Sequence, residues 1–232
     1  MSQPMNLTDK PGGDQDVLAG LPAGLKACLQ QAPRVVLLAN NPAITAADVA
    51  ALGIGTGDVV VSFNTCVQAE LLTADAVNVF VHGFNAPDQY FFGLPYQPVV
   101  QRLFEQHPAR CFSVLVGCTQ PLCPLPQTGL YWERIPLPAL WNYPVDRPKG
   151  KRYVGPSTGF NMLVLLDWLR AQPGYGYELL TLGFSNEAGK LWGGHAWDYE
   201  RAWLVAADVT VIPLARRSWW QSLLATFGRS SR

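Results

Sequence analysis

Six short apolar runs recur along this chain and constrain its fold more than any other feature. They are rich in Val, Leu and Ile, and most are separated by segments long enough for a helix. Parallel strands buried on both faces form continuous apolar runs of this kind, and crossover helices join them. The sequence therefore predicts a single α/β domain, Rossmann-like, with a mostly parallel sheet of about six strands. The predicted strands are 34–39, 58–63, 77–81, 111–116, 178–183 and 208–212.

The length of 232 residues suits one well-buried domain and is short for two. We divide the chain into an N-terminal tail with a short helix (1–33), the α/β domain (34–214) and a C-terminal tail (215–232). The N-terminal residues contain no hydrophobic signal core, and no segment approaches the roughly 18 apolar residues that cross a bilayer. The expected location is the cytoplasm. Helices are expected at 16–31, 44–52, 97–107, 160–169 and after His195.

The segment 118–155 interrupts the alternation of strands and helices. Eight prolines fall between residues 118 and 156, interspersed with Tyr and Trp. Such spacing predicts a long loop without regular elements, and its aromatic residues favour a lid that packs over a ligand. A surface excursion without a role is the alternative.

The composition argues against several partners. Seventeen basic residues balance seventeen acidic ones, and no basic block is interleaved with aromatics, so we expect no nucleic acid. The five cysteines lack C-x-x-C spacing and indicate a reducing compartment. The one D-x-D pair, Asp14 and Asp16, precedes the first strand and does not follow one, so no metal site is expected.

Residues 154–159 are typical of a loop that binds an anion at the start of a buried helix. Ser157 or Thr158 can begin the helix, Gly159 lets a ligand approach the backbone, and the first N–H groups of a helix attract anions. The next strand ends near Ser185 and Asn186, at the carboxyl edge where open α/β sheets bind ligands. A capped helix start without a ligand is the alternative.

Three separated motifs, taken together, resemble those of sialyltransferases. PSTG and its helix, followed about twenty residues later by a strand ending in LGF, are similar to the small sialyl motif. His195 and Glu200, with four residues between them, are similar to the very short motif. LLANNP (37–42) and SFNTC (62–66) are similar to the GNGP and CNQ-type segments of bacterial sialyltransferases. The resemblance covers most of the chain from Arg34 to Pro213.

This resemblance implies an inverting glycosyltransferase. It would move sialic acid, or a related keto-sugar acid, from a CMP-sugar donor to a glycan or glycolipid hydroxyl. No cofactor or divalent ion is implied, because a leaving monophosphate carries less charge than a diphosphate. The donor sugar could equally be 3-deoxy-octulosonate. The implied site residues are His195 as general base, Ser157, Thr158 and Gly159 at the phosphate, and Asn40 and Asn64 at the nucleotide.

Supporting roles fall to side chains near these motifs. On a continuous helix, five positions rotate by roughly 140°, so Glu200 would not share a face with His195 and is expected to position the loop. Asp198 is a candidate for orienting the imidazole, with a plain surface charge as the alternative. Ser185 and Asn186 are further candidates. For His195 itself, the alternative is a core histidine satisfied by the backbone.

Other classes of protein remain open. Ser185 with His195 would suit a serine hydrolase, but Ala188 stands where the G-x-S-x-G elbow has its second glycine. A nucleotide-binding module without turnover is the other rival. The C-terminal segment 216–228 places Trp and Leu on one helical face, which suits either peripheral contact with the inner face of a membrane or docking on the domain.

Overall fold

A computed structural model describes residues 14–82, 97–117, 128–132, 134–147, 150–184 and 191–214. The strands are β1 (Arg34–Leu38), β2 (Val59–Phe63), β3 (Val77–His82), β4 (Cys111–Val116), β5 (Thr128–Trp132), β6 (Asp146–Arg147), β7 (Lys151–Arg152), β8 (Glu178–Leu182) and β9 (Thr210–Ile212). The helices are α1 (Asp14–Gly20), α2 (Ala23–Gln31), α3 (Ala46–Ala51), α4 (Pro98–Gln106), α5 (Pro138–Trp141), α6 (Thr158–Arg170) and α7 (Trp197–Ala206). Two 3₁₀ turns cover Ala69–Leu71 and Pro108–Arg110.

Seven of these strands form one sheet in the order β5-β4-β3-β2-β1-β8-β9, and every neighbouring pair is parallel. The predicted α/β class is confirmed, and each of the six predicted runs contributes a strand. β1 lies inside the sheet, with Val35 opposite Val59 of β2 on one side and Leu179 of β8 on the other. Both hydrogen-bonding edges of β1 are therefore paired.

The strand order changes direction at β1. From β1 to β5 the chain moves outward on one side of the sheet, and it then returns to add β8 and β9 on the other side. The carboxyl ends of β1 and β8 thus flank a switch point, which is where open α/β sheets bind ligands. The two ends stay joined beyond the strands, because Ala39 N donates to Leu182 O at 3.0 Å.

Successive side chains of β1 point to opposite faces of the sheet, and this alternation explains why each face is covered by a different layer. Val35 and Leu37 pack into a cluster that includes α2 and α6, whereas Val36 and Leu38 pack on the other face with residues from α3. α4 covers β3 and β4 through a third cluster. Burial on both faces is the reason that these strands are continuous apolar runs.

The expectation that segment 118–155 contains no regular element is wrong for its described part. β5 extends the parallel sheet beside β4, α5 forms one helical turn, and β6 and β7 pair antiparallel. Prolines are compatible with this structure at particular positions: Pro138 is the first residue of α5, where an N–H would have no intrahelical acceptor. Leu130, Ile135 and Leu140 are fully buried, so this part of the predicted lid belongs to the core.

The helix predicted at 16–31 is two helices, and Pro22 lies between them. Proline disfavours a helical conformation in the residue before it, which ends α1. β5 approaches this junction closely, because a Cβ at Gly129 would lie 2.6 Å from the Gly20 carbonyl oxygen. The predictions for the C-terminal segment 216–228, and for Ser185 and Asn186, lie outside the described residues. Among the described helices, none is long and apolar enough to cross a bilayer.

Candidate functional site

Asn40, just past the end of β1, ties this edge of the sheet to the loop after β2. Its amide nitrogen donates to the Thr65 hydroxyl at 3.0 Å, and its amide oxygen accepts from Val67 N at 2.9 Å. The resemblance implies that Asn40 binds the nucleotide. In the structure its first role is to fix the loop beside the site, which leaves one amide hydrogen for a ligand.

The loop after β2 has an unusual backbone and leads to α6. Asn64 and Cys66 both have left-handed φ values, 50° and 46°. Asparagine tolerates this conformation better than cysteine, and such residues cluster at functional sites. The Thr158 hydroxyl lies 3.5 Å from the Asn64 amide oxygen, at the long limit for a hydrogen bond. The end of β2 and the start of α6 are therefore adjacent.

Ser157 caps α6, and its hydroxyl is already committed. Its oxygen accepts from Phe160 N at 3.0 Å, and its proton goes to Glu200 Oε2 at 2.7 Å. A hydroxyl has one proton, so in this geometry Ser157 shapes the loop and does not donate to a phosphate. The first backbone N–H groups of α6, from Thr158 and Gly159, have no acceptor within a helix and are the candidate anion donors.

The end of β8 lies against the start of α6, beside these candidate donors. A Cβ at Gly159 would lie 3.1 Å from the Phe184 ring, which is closer than most real contacts of this kind. Phe184 also packs edge-to-face on Phe63 of β2, with ring centroids 5.9 Å apart. Glycine at position 159 therefore lets the helix start fit against the switch point.

A buried carboxylate, Glu200, holds the loop in place. It is 5% exposed, and Oε1 accepts from the Tyr143 hydroxyl and from Ser157 N, each at 2.9 Å. Tyr143 in turn accepts from Ala196 N at 2.6 Å. Burial raises the pKa of Tyr143, and the charge of Glu200 raises this pKa further, so the phenol keeps its proton and donates it to the carboxylate.

His195 is hydrogen-bonded to the segment that leads into α6. Its Nδ1 lies 2.7 Å from the Gly155 carbonyl oxygen, and the neighbouring backbone is joined by Val154 N donating to Gly194 O at 2.8 Å. A carbonyl oxygen can only accept, so Nδ1 carries the hydrogen. In the neutral ring, Nε2 then has the lone pair, which is the tautomer that a general base needs.

Two indole rings flank the imidazole. The ring centroids of Trp192 and Trp197 lie 4.6 Å and 5.1 Å from that of His195, and both rings are edge-to-face with it. Trp197 Nε1 donates to the Trp192 carbonyl at 2.8 Å. Trp192 was not among the residues predicted from the sequence, and its position three residues before His195 is the signal that points to it.

The structure does not support the candidate role of Asp198 in orienting the imidazole of His195. Its side chain is 96% exposed and pairs with Arg201 in the next turn of α7, while Gly155 holds Nδ1 of His195. The description that fits is a surface charge. In the described part of the chain, no three His, Cys, Asp or Glu side chains come together as a metal site would require.

The structure thus brings together the start of α6, the ends of β1, β2 and β8, and the segment before α7. Comparisons of the chain with protein-family models, curated proteins and solved structures found no match.

Proposed function

We propose that this chain is an inverting, metal-independent glycosyltransferase that moves sialic acid, or a related keto-sugar acid, from a CMP-sugar to a glycan hydroxyl. The observation that carries the proposal is the bond of 2.7 Å between His195 Nδ1 and Gly155 O. It ties a base-competent imidazole to the segment two residues before Ser157, the N-cap of the anion-binding helix. The proposed base and the proposed phosphate site are therefore held next to each other by the segment that leads into α6.

The position of the site at the sheet edge supports a nucleotide donor. The strand order places a switch point between β1 and β8, and nucleotides bind at the carboxyl ends of the strands at such points in α/β sheets. The N-terminus of α6, which leads into β8, would hold the phosphate through its backbone N–H groups and its dipole. Asn40 and Asn64, at the ends of β1 and β2, would then border the nucleoside.

The reaction needs one proton transfer and one displacement. His195 Nε2 takes the proton of the acceptor hydroxyl, and the acceptor oxygen forms a bond to the anomeric carbon of the donor. The bond from that carbon to the phosphate oxygen breaks, and the electron pair leaves with CMP. The start of α6 stabilises the charge that develops on the phosphate. A single displacement of this kind inverts the anomeric centre.

Separation of binding from chemistry tests the proposal. In His195→Ala, transfer should fall by about 10² to 10⁴, because proton removal is lost. CMP affinity should stay within a few-fold of the unmodified protein, because the contacts to α6 and the loop after β2 remain. Asp198→Asn, an exposed change three residues after His195 in the first turn of α7, is the matched control and should transfer normally.

Two results would contradict the proposal. Near-normal transfer by His195→Ala would show that another group is the base. Binding of CMP by the unmodified protein, without hydrolysis or transfer from either CMP-sialic acid or CMP-3-deoxy-octulosonate, would instead identify a nucleotide-binding module. A thermal-shift comparison of CMP with UMP decides first whether cytidine is preferred.

A further inference from the structure

An exposed apolar surface lies directly beside His195, and the proposed reaction leaves it unused. Val154, whose N–H bonds Gly194, is 77% exposed, Trp192 is 56% exposed and Leu191 is 37% exposed. Tryptophan combines a large apolar face with little conformational freedom, which makes it common in binding sites. We use the term aromatic wall for Trp192 and Trp197 together.

The aromatic wall is held in place although half of Trp192 is exposed. A Cβ at Gly194 would lie 2.3 Å from the Trp192 ring, so this indole packs directly on the glycine backbone. The bond from Trp197 Nε1 to the Trp192 carbonyl joins the two tryptophans. An indole fixed in this way loses little entropy when it binds a ligand.

We propose that the aromatic wall is the acceptor subsite and that it binds the C–H face of a sugar ring. This inference rests on the proposed role of His195 as base. A hydroxyl that gives its proton to Nε2 must approach within about 3 Å of that nitrogen. Trp192 and Trp197 border the imidazole that carries Nε2, with ring centroids 4.6 Å and 5.1 Å from its own, so we place the acceptor sugar against these indoles.

The chemistry of the wall selects a sugar among hydroxyl compounds. A pyranose ring presents several C–H groups on one face and hydroxyls around its rim, so it can cover an indole while one hydroxyl reaches the base. The burial of apolar area and the fixed geometry of the wall both favour this partner. A small polyol such as glycerol has hydroxyls but no ring face, and the same surface would hold it poorly.

Saturation-transfer NMR with lactose and methyl β-galactopyranoside tests this subsite without any need for turnover. The unmodified protein should saturate C–H protons on one ring face, and glycerol should give no comparable signal. Trp192→Ala should weaken saccharide binding, and raise the acceptor KM in transfer, by about tenfold, as expected when a central aromatic contact is lost. Trp192→Phe should stay within about threefold because an aromatic face remains.

Trp168→Phe, on the far end of α6, is the matched control and should change neither measurement. Gly194→Ala should weaken saccharide binding as Trp192→Ala does, because the new methyl group displaces the indole. Unchanged saccharide binding in Trp192→Ala would overturn the inference. Absence of saccharide binding, together with a dimer in sedimentation that Trp192→Ala dissociates, would overturn it in favour of an interface between two copies.

The failure of this subsite and the failure of the proposed donor give different results. A protein that binds lactose through Trp192 but binds no CMP would refute the CMP-sugar donor and keep the saccharide subsite. A protein that binds CMP and transfers sugar, with an acceptor KM that is insensitive to Trp192→Ala, would keep the reaction and reject the aromatic wall.

Discussion

Replacing Glu200 with alanine should loosen the loop before α6 and should also destabilise the fold. Three donors lose their acceptor in this variant: the Tyr143 hydroxyl, Ser157 N and the Ser157 hydroxyl. The site is 5% exposed, so water replaces these bonds poorly. At about 1 kcal/mol for each donor left unsatisfied, the free energy of unfolding should fall by roughly 3 kcal/mol.

Glu200→Gln separates the individual bonds. The amide oxygen can still accept from Tyr143 and from Ser157 N, so only the bond between the Ser157 hydroxyl and Oε2 is lost. The expected loss of stability is then about 1 kcal/mol, one third of that in the alanine variant. Tyr143→Phe should cost about 1–3 kcal/mol because it also leaves Ala196 N without its acceptor.

Urea unfolding followed by tryptophan fluorescence measures these differences, provided that the m-value is unchanged. CMP affinity, measured on the same variants at a temperature where all are folded, should fall in the same order. Glu105→Ala, an exposed glutamate on α4, is the matched control. An alanine variant of Glu200 that unfolds at the control's midpoint, or that binds CMP normally, would refute the view that this carboxylate fixes the loop.

Two further predictions concern stability. Burial lowers the pKa of His82 to about 3, so below about pH 6.5 the unfolded chain takes a proton that the folded chain excludes. The free energy of unfolding should fall by about 1.4 kcal/mol per pH unit below that point. In His82→Gln the free energy of unfolding should fall less steeply with decreasing pH. An equal slope in both proteins would show that His82 is not the cause of the pH dependence. Gly183→Ala should destabilise more than Gly53→Ala in the same urea assay: both have left-handed φ, but only at Gly183 would the Cβ clash, 2.8 Å from Ile44 Cδ1. Equal losses would show that the clash relaxes.

The sheet was predictable from the sequence because its strands are buried on both faces. A strand that is buried on both faces must be a continuous apolar run in the sequence. The crossover helices set the spacing between these runs. β5 is not such a run, since TGLYW contains one glycine and two large aromatics and follows a proline-rich stretch. Its place in the sheet depends on contact between Gly129 and the α1–α2 junction, which is far away in sequence.

The residues that lie together at the candidate site were predictable from the sequence, but the hydrogen-bonding role of each side chain was not. The sequence brings Asn40, Asn64 and Thr158 to one sheet edge through topology alone. It does not show that Asn40 is bonded to the loop after β2, or that Ser157 gives its proton to Glu200. Asn40 and Ser157 are both polar residues at the expected sheet edge. Only their hydrogen bonds in the structure show that each side chain holds a loop in place.

The spacing between His195 and Glu200 has a physical reason, but it is not the rotation between two residues of one continuous helix. α7 begins at Trp197, so His195 precedes the helix and the expected rotation of a continuous helix does not relate the two side chains. The bend before the helix instead lets each side chain contact a different part of one segment, His195 at Gly155 and Glu200 at Ser157. Four intervening residues thus let one short stretch hold both His195 and the start of α6, and a change in that number should uncouple the position of His195 from that of Ser157.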